Sequence, residues 1–323
     1  MEGKSIRKIL FFLSNNARRS TKEIGKLLHI SQQTASYTIK KLEEKKIIQR
    51  YQLIADPAKF GLINIIILLE YNRFDQKSTS QIKRRLKEDP NVVRIEEISQ
   101  GADLLVEYST PNLSYFNKQY RQFLYDLQES IRIKERFVII VKHLFEKTYL
   151  LKRNTEQKRI IISGDRDPIT LNKRQEIILQ QLLQDPKSTM ISIAQKHHFD
   201  LKTTIQTKRL LEKQKIIRRY SITLNYDALD IQREHYLINT TFNNLEEEKM
   251  FLEYCKQHKN IIEVTKTIGP YEIILTVERM KEERSPISDL RKNFPIRAYQ
   301  IITSDNIIEH TTIPQECFNE KNI

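Results

Sequence analysis

Read from the amino terminus, apolar residues recur at helical spacing as far as Leu42, and from Ile47 the spacing becomes that of strands. Ile6, Ile9, Leu10 and Leu13 mark a first helix. Ser20 or Thr21 can cap a second, with Glu23 near its start and Ile24, Leu27 and Leu28 on one face. After a break at His29–Ile30, Ser31 caps a third helix whose buried stripe is Ala35, Ile39 and Leu42. That stripe turns Gln32, Gln33, Ser36, Tyr37 and Lys40 outward. Three short helices with a tight turn before an amide-rich third predict a helix-turn-helix. In a major groove, Gln can bond adenine bidentately and Lys can reach guanine or phosphate. A three-helix bundle that binds another protein is the alternative.

The later pattern alternates strand and helix. Ile47–Ile48 and Arg50–Ile54 read as β structure, closed by a turn at Asp56-Pro57. A strand at Leu62–Tyr71, a helix at Ser78–Lys87 and a strand at Val92–Ser99 follow. A turn at Gln100–Ala102 leads to the strand Asp103–Tyr108, then a helix at Asn112–Gln128 and a strand at Arg136–Leu144. This is the βαββαβ order of a ferredoxin-like sandwich.

The whole pattern then repeats. Glu43–Tyr51, EEKKIIQRY, returns as Glu212–Tyr220, EKQKIIRRY, at an offset of 169 that also aligns Leu13 with Leu182, Ile24 with Ile193, Leu42 with Leu211 and Asp103 with Glu272. The expected fold class is α+β: two winged helix-turn-helix domains alternating with two ferredoxin-like sandwiches. Their expected spans are 1–55, 56–150, a linker at 151–170, 171–225 and 226–316, with a tail at 317–323. Within the linker, Arg159–Ile162 can pair as an extra strand. The second head is divergent: in its third helix, Asp200–Lys213, Thr204 and Lys208 stand where Ala35 and Ile39 stood. It reads as a weaker or differently specific DNA reader, or as a purely structural unit.

Charge follows the repeat. Of a net +14, residues 1–55 carry +8 and residues 171–225 carry +7, so the remainder of the chain is close to neutral. A basic excess confined to matching segments fits two polyanion-binding heads on neutral scaffolds. The expected phosphate contacts are Lys22, Lys26, Lys40, Lys41, Lys45, Lys46 and Arg50 in the first head. Lys202, Arg209, Arg218 and Arg219 are their counterparts in the second. Ser31, Gln32, Gln33, Ser36 and Tyr37, with Thr203 and Gln206, complete the expected double-stranded-DNA surface. Tyr51 and Tyr220 either touch phosphate or pack against the wing.

Other chemistry is sparse. Cys255 and Cys317 have no metal or disulfide spacing, and the histidines show no ligand pattern. Neither a metal nor a cofactor is expected. The longest apolar run, Leu62–Leu69, is too short to span a bilayer, and a cytoplasmic protein is expected.

The string ARRSTKEIGKLLHISQQTASYTIKKLEEKKII, the following DPAKFG and the βαββαβ pattern resemble the Lrp/AsnC family of transcription regulators. The matching positions are Ile9, Leu10, Leu13, Arg18, Ser20, Ile24, Ser31, Leu42, Ile48, Asp56, Pro57 and Gly61. The resemblance implies a DNA-binding head and an α/β (RAM) module that dimerises and often senses an amino acid or related small molecule. It also makes Asp103, Glu272 and Gly269, in the turns between central strands, effector candidates; a solvated acidic residue opening a strand is the alternative. The family's glycine after the recognition helix is Lys46 here and Lys215 in the repeat. The two sandwiches are expected to pack sheet against sheet as an intramolecular pseudo-dimer, with a higher homo-oligomer left open. Sirohaem decarboxylases share this head-plus-sandwich plan, but their Asn-Tyr-x-x-Arg type motif is missing and the chain has no Trp. A regulator is therefore expected and an enzyme is not, with a decarboxylase-like or small-molecule-binding protein as the alternative.

Overall fold

The computed structural model describes residues 2–151 and 157–314. The expected tail at 317–323, Cys317 and part of the expected linker lie outside them.

The chain opens with α1 (Glu2–Asn15), α2 (Thr21–Leu28) and α3 (Gln32–Glu44), then β1 (Ile48–Ala55). Local chemistry sets each boundary. The Ser20 hydroxyl accepts from the Glu23 amide while the Glu23 carboxylate accepts from the Ser20 amide, a capping box at the start of α2. The Ser31 hydroxyl accepts from the Thr34 amide and caps α3. Gly25 lets the α2–α3 turn close: a Cβ there would stand 2.8 Å from the Ile30 carbonyl oxygen. Ile9, Leu10, Leu13, Ile24, Ala35, Ile39 and Leu42 are the buried stripes that periodicity had marked. Beyond α3 the chain reverses through Lys46 at φ 54°, and Lys215 does the same at φ 59°. Both lysines accept a left-handed backbone that glycine would adopt without strain.

Next come β2 (Ile63–Tyr71), α4 (Gln76–Glu88), β3 (Val92–Gln100), β4 (Leu104–Thr110), α5 (Leu113–Leu127) and β5 (Ile131–Leu144). A short β6 (Ile160–Ser163) falls on the stretch singled out within the linker and pairs antiparallel with β5. The order then recurs as α6 (Lys173–Gln184), α7 (Met190–Lys196), α8 (Leu201–Lys213), β7 (Ile217–Leu224), β8 (Ile231–Thr240), α9 (Leu245–Gln257), β9 (Ile261–Ile268), β10 (Ile273–Met280), α10 (Ile287–Asn293) and β11 (Ile296–His310).

Two strand systems organise these elements. Strands β5-β2-β4-β3 and β11-β8-β10-β9 each run in ferredoxin order, and the pairs β3–β11 and β5–β9 join them into a closed antiparallel ring. This revises the expected sheet-against-sheet packing: the inner faces do oppose each other, but the edges are hydrogen-bonded as well. The reason is the length of β5 and β11. Residues 131–138 of β5 pair with β2, and residues 138–144 continue onto β9. The start expected at Arg136 was five residues late: Ile131 and Ile133 already alternate with Arg132 and Lys134 as a strand does. Helices cover the outside of the ring, where Ile65, Ile67 and Leu69 pack with Ile82, Leu86 and Phe123. Inside, Ile66, Leu68, Phe137, Leu237, Ile274 and Ile302 form an apolar plug.

Strands β1 and β7 form a separate two-stranded sheet. Its register places Tyr51 opposite Ile222, Gln52 opposite Ser221 and Leu53 opposite Tyr220. Shifted by 169 residues this register maps onto itself, with the Gln52–Ser221 pair at its centre. A self-complementary pairing of this kind belongs to a two-fold arrangement.

Candidate nucleic-acid interface

The outer face of α3 is open. Gln32, Gln33, Ser36, Tyr37, Lys40 and Lys41 are all exposed, as are Lys22, Lys26, Lys45 and Lys46 around it. Lys40 has only Glu44 nearby, 3.7 Å away on the next turn. The Lys41 ammonium lies 5.9 Å from the Tyr37 ring centre. Exposed pairs of this kind hold their charges weakly, so these ammoniums can turn to a phosphate. Ser31 is exposed, but its hydroxyl is engaged in the cap of α3.

The corresponding face of α8 shows Lys202, Gln206 and Arg209 to solvent, flanked by exposed Leu201 and Leu210. Thr203 is a correction: its amide and hydroxyl are both spent on the Asp200 carboxylate that caps the helix. Lys208 keeps the register of the buried stripe. Its ammonium reaches Glu212 at 2.6 Å and lies 5.6 Å from the Tyr220 ring centre, the snorkelling that a lysine in an apolar stripe requires. Thr204 is fully buried, with its hydroxyl donated to the Asp200 carbonyl at 2.9 Å.

Two expected phosphate contacts are corrected by the wing sheet. Strand alternation puts Tyr51, Leu53, Tyr220 and Ile222 on the face toward the helices, and Arg50, Gln52 and Arg219 on the face toward the ring. Arg50 pairs with the Glu309 carboxylate and donates to the Ile308 carbonyl. Arg219 points inward and donates to the Phe145 carbonyl at 3.2 Å. Arg218 is half-buried in the field of Asp56 and Arg166.

Two residues given no contact from the sequence join the helical units. The Arg18 guanidinium donates to the Pro186 carbonyl at 2.6 Å and lies 5.3 Å from the Tyr220 ring centre. At the position 169 residues on, Lys187 donates to Glu43 at 2.9 Å and lies 4.3 Å from the Tyr51 ring centre. Tyr51 donates its hydroxyl to the same Glu43 carboxylate at 2.5 Å. Both tyrosines therefore pack at the wing, the second of the two roles considered for them, and Tyr51 also bridges to Glu43. The shared offset of Arg18 and Lys187 was the available signal.

The effector candidates brace strands. Asp103 accepts from the Tyr71 amide at 2.7 Å, and Glu272 accepts from the Thr240 amide at 3.3 Å and hydroxyl at 3.2 Å. Gly269 is needed for close approach, since a Cβ would stand 2.6 Å from the Arg136 carbonyl oxygen. None of the three lines the cavity between the wing sheet and the ring. Among the described residues no His/Cys/Asp/Glu group has the arrangement of a metal site, and no helix is long and apolar enough to cross a membrane.

The sequence pattern of winged helix-turn-helix DNA-binding domains matches residues 4–49. The N-terminal helical unit thus has the pattern of a winged helix-turn-helix. Its sequence relatives are Lrp/AsnC-type transcription regulators. It is 25% identical over 114 residues to the HTH-type transcriptional regulator FL11 of Pyrococcus horikoshii, covering 34% of this chain and 72% of FL11. It is 42% identical over 53 residues to the HTH-type transcriptional regulator LrpB of Bacillus subtilis, covering 16% of this chain and 36% of LrpB. Over its whole length the fold is similar to the crystal structure of the siroheme decarboxylase NirDL, with a TM-score of 0.58 at 15% identity, covering 97% of this chain and 96% of that one. That likeness overturns the expectation that the chain is not an enzyme: an enzyme is built on this architecture from end to end.

Proposed function

We propose that this protein is a DNA-binding transcription regulator of Lrp/AsnC type, built by tandem duplication into an intramolecular pseudo-dimer. The observation that carries the reading is the match of residues 4–49 to DNA-binding domains, with α3 presenting free amides and ammoniums on one face. Gln32, Gln33 and Ser36 read base edges, and Lys22, Lys26, Lys40, Lys41, Lys45 and Lys46 hold phosphates. The unit of α6, α7, α8 and β7 serves as a second, differently specific head through Lys202, Gln206 and Arg209. The self-complementary β1–β7 register supports a two-fold relation between the heads, whose spacing then suits half-sites about 34 Å apart or a multiple of it. The two ferredoxin-like modules, near 56–150 and 226–316, hold the heads together and offer sites for a small effector. The test is selection of bound DNA from a random pool. Wild type should return an imperfect palindrome, and changing Gln32 or Gln33 should alter base preference by roughly 1–3 kcal/mol per lost contact. A pool left unenriched by the wild-type protein would refute the reading.

A second reading follows from the end-to-end likeness to NirDL: chemistry on a tetrapyrrole inside the same fold. Titration with sirohaem, read by visible absorbance, tests it directly. Stoichiometric spectral change would support it, and a free-pigment spectrum throughout would reject it.

A further inference from the structure

Behind the apolar plug the interior of the ring is charged, and the charges almost cancel in pairs. Glu278 receives Lys147, Arg233 and the hydroxyls of Tyr149 and Tyr226. Glu96 faces Arg233, Arg94 and His235, and Glu107 takes both a bidentate Lys142 at 2.7 Å and Arg94. Glu263 accepts from the Thr265 hydroxyl in the field of Lys142 and Arg94. Four carboxylates thus balance Arg94, Lys142, Lys147 and Arg233. His235 and His310 add no charge near neutrality, because burial holds both below the usual histidine range, His310 at about 3.

One cation is left over. Arg219 enters this space from the wing sheet and donates to the Phe145 carbonyl. No carboxylate of the described residues comes within ion-pair distance of it; Glu146 acts from farther away and is opposed by Arg218. Its repeat counterpart Arg50 does have a carboxylate, Glu309. Arg219 lines a cavity of about 70 Å³ between the wing sheet and the ring, together with Gln52, Thr223, Lys147 and Tyr226, and with Glu107 and Glu263, whose charges are answered by Lys142 and Arg94. A half-buried guanidinium that lacks an anion is costly to keep. At roughly 10–15 Å³ per water-sized position, the cavity has room for about five non-hydrogen atoms.

We propose that this cavity binds a small monocarboxylate, with the Arg219 guanidinium as its bidentate anchor and Gln52 and Thr223 as neutral polar neighbours. One surplus positive charge matches one carboxylate, and the planar fork suits it. The size limits the ligand to a short chain. Because one wall is the β1–β7 pair, a bound ligand ties the wing sheet to the ring. The site itself stands independently of the DNA reading, and it is tested on the protein alone.

The full-length protein is titrated with sodium propionate against sodium chloride at equal ionic strength, and with neutral propionamide, reading the melting temperature and heat of binding. Propionate should raise the melting temperature by about 2–4 °C at saturation, with propionamide and chloride without effect. R219Q should melt at or above the wild-type temperature without ligand, because it removes an unbalanced charge, and should lose the propionate response. R219K, which keeps the charge without the fork, should respond more weakly than wild type. An equal response to propionamide, no response in the wild type, or a propionate response retained in R219Q would each overturn the site. A marked drop in melting temperature of ligand-free R219Q would show that Arg219 is structural and overturn it too.

Discussion

The sharpest consequence of the wing geometry concerns which basic residues touch DNA. Lys40 and Lys41 are exposed on α3, Lys40 in a loose pair with the exposed Glu44, whereas Arg50, equally basic and in the same segment, is tied to Glu309 and the Ile308 carbonyl. Each phosphate neutralised contributes about −0.9 to the slope of log K against log salt. Replacing Lys40 and Lys41 by Gln removes two contacts and should flatten the slope by about 1.8. A fourfold rise in salt, roughly from 50 to 200 mM, then costs the double variant about 12-fold less affinity than it costs wild type. Arg50→Gln should leave the slope where it was while lowering thermal stability, because Glu309 loses its partner. The assay is fluorescence anisotropy on one duplex at several salt concentrations, with melting curves alongside. Equal slopes for wild type and K40Q/K41Q, or a slope loss in Arg50→Gln as large as one lysine supplies, would refute the assignment.

Further outcomes follow from other parts of the fold. Gly25→Ala places a methyl 2.8 Å from the Ile30 carbonyl oxygen, so it should destabilise the head by about 1–3 kcal/mol in chemical denaturation and weaken DNA binding. Glu43→Ala strands Lys187 and frees the Tyr51 hydroxyl, and it should cost about 1–3 kcal/mol by the same measurement. Acid stability should fall in two stages. His143 is pushed down to about 4 by burial and then by Arg159 and Lys266, so the unfolded chain binds its proton first and stability drops as pH falls from about 6.5 to 4. His143→Gln should shrink that stage in melting curves taken across pH, with buried His235 and His310 supplying the rest of it. Glu278 is held at about 2 by Lys147 and Arg233 against its burial. Its contribution is complete above about 4.5 and is lost as pH falls toward 2.

Local chemistry alone determined much of this protein. Helical spacing located the buried stripes of the first three helices, and Ser20 and Ser31 announced the caps of the second and third. Those features depend on neighbours within a few residues, which is why a sequence displays them. The second copy of the string falls where α8 runs into β7. Which polar residues remain free to act depended instead on contacts across the chain. Arg50 and Lys40 look alike in sequence, and only the approach of β11, some 259 residues on, takes Arg50 out of reach. Asp103 reads as a ligand or a solvated acid until β2 brings the Tyr71 amide to it. Strand pairing decided the rest: the long β5 and β11 close two sheets into one ring, and that closure gathers Glu96, Glu107, Glu263 and Glu278 with their cations away from water. Pairing between distant strands is chosen by the total burial and hydrogen bonding it satisfies, a quantity that no short window of sequence contains.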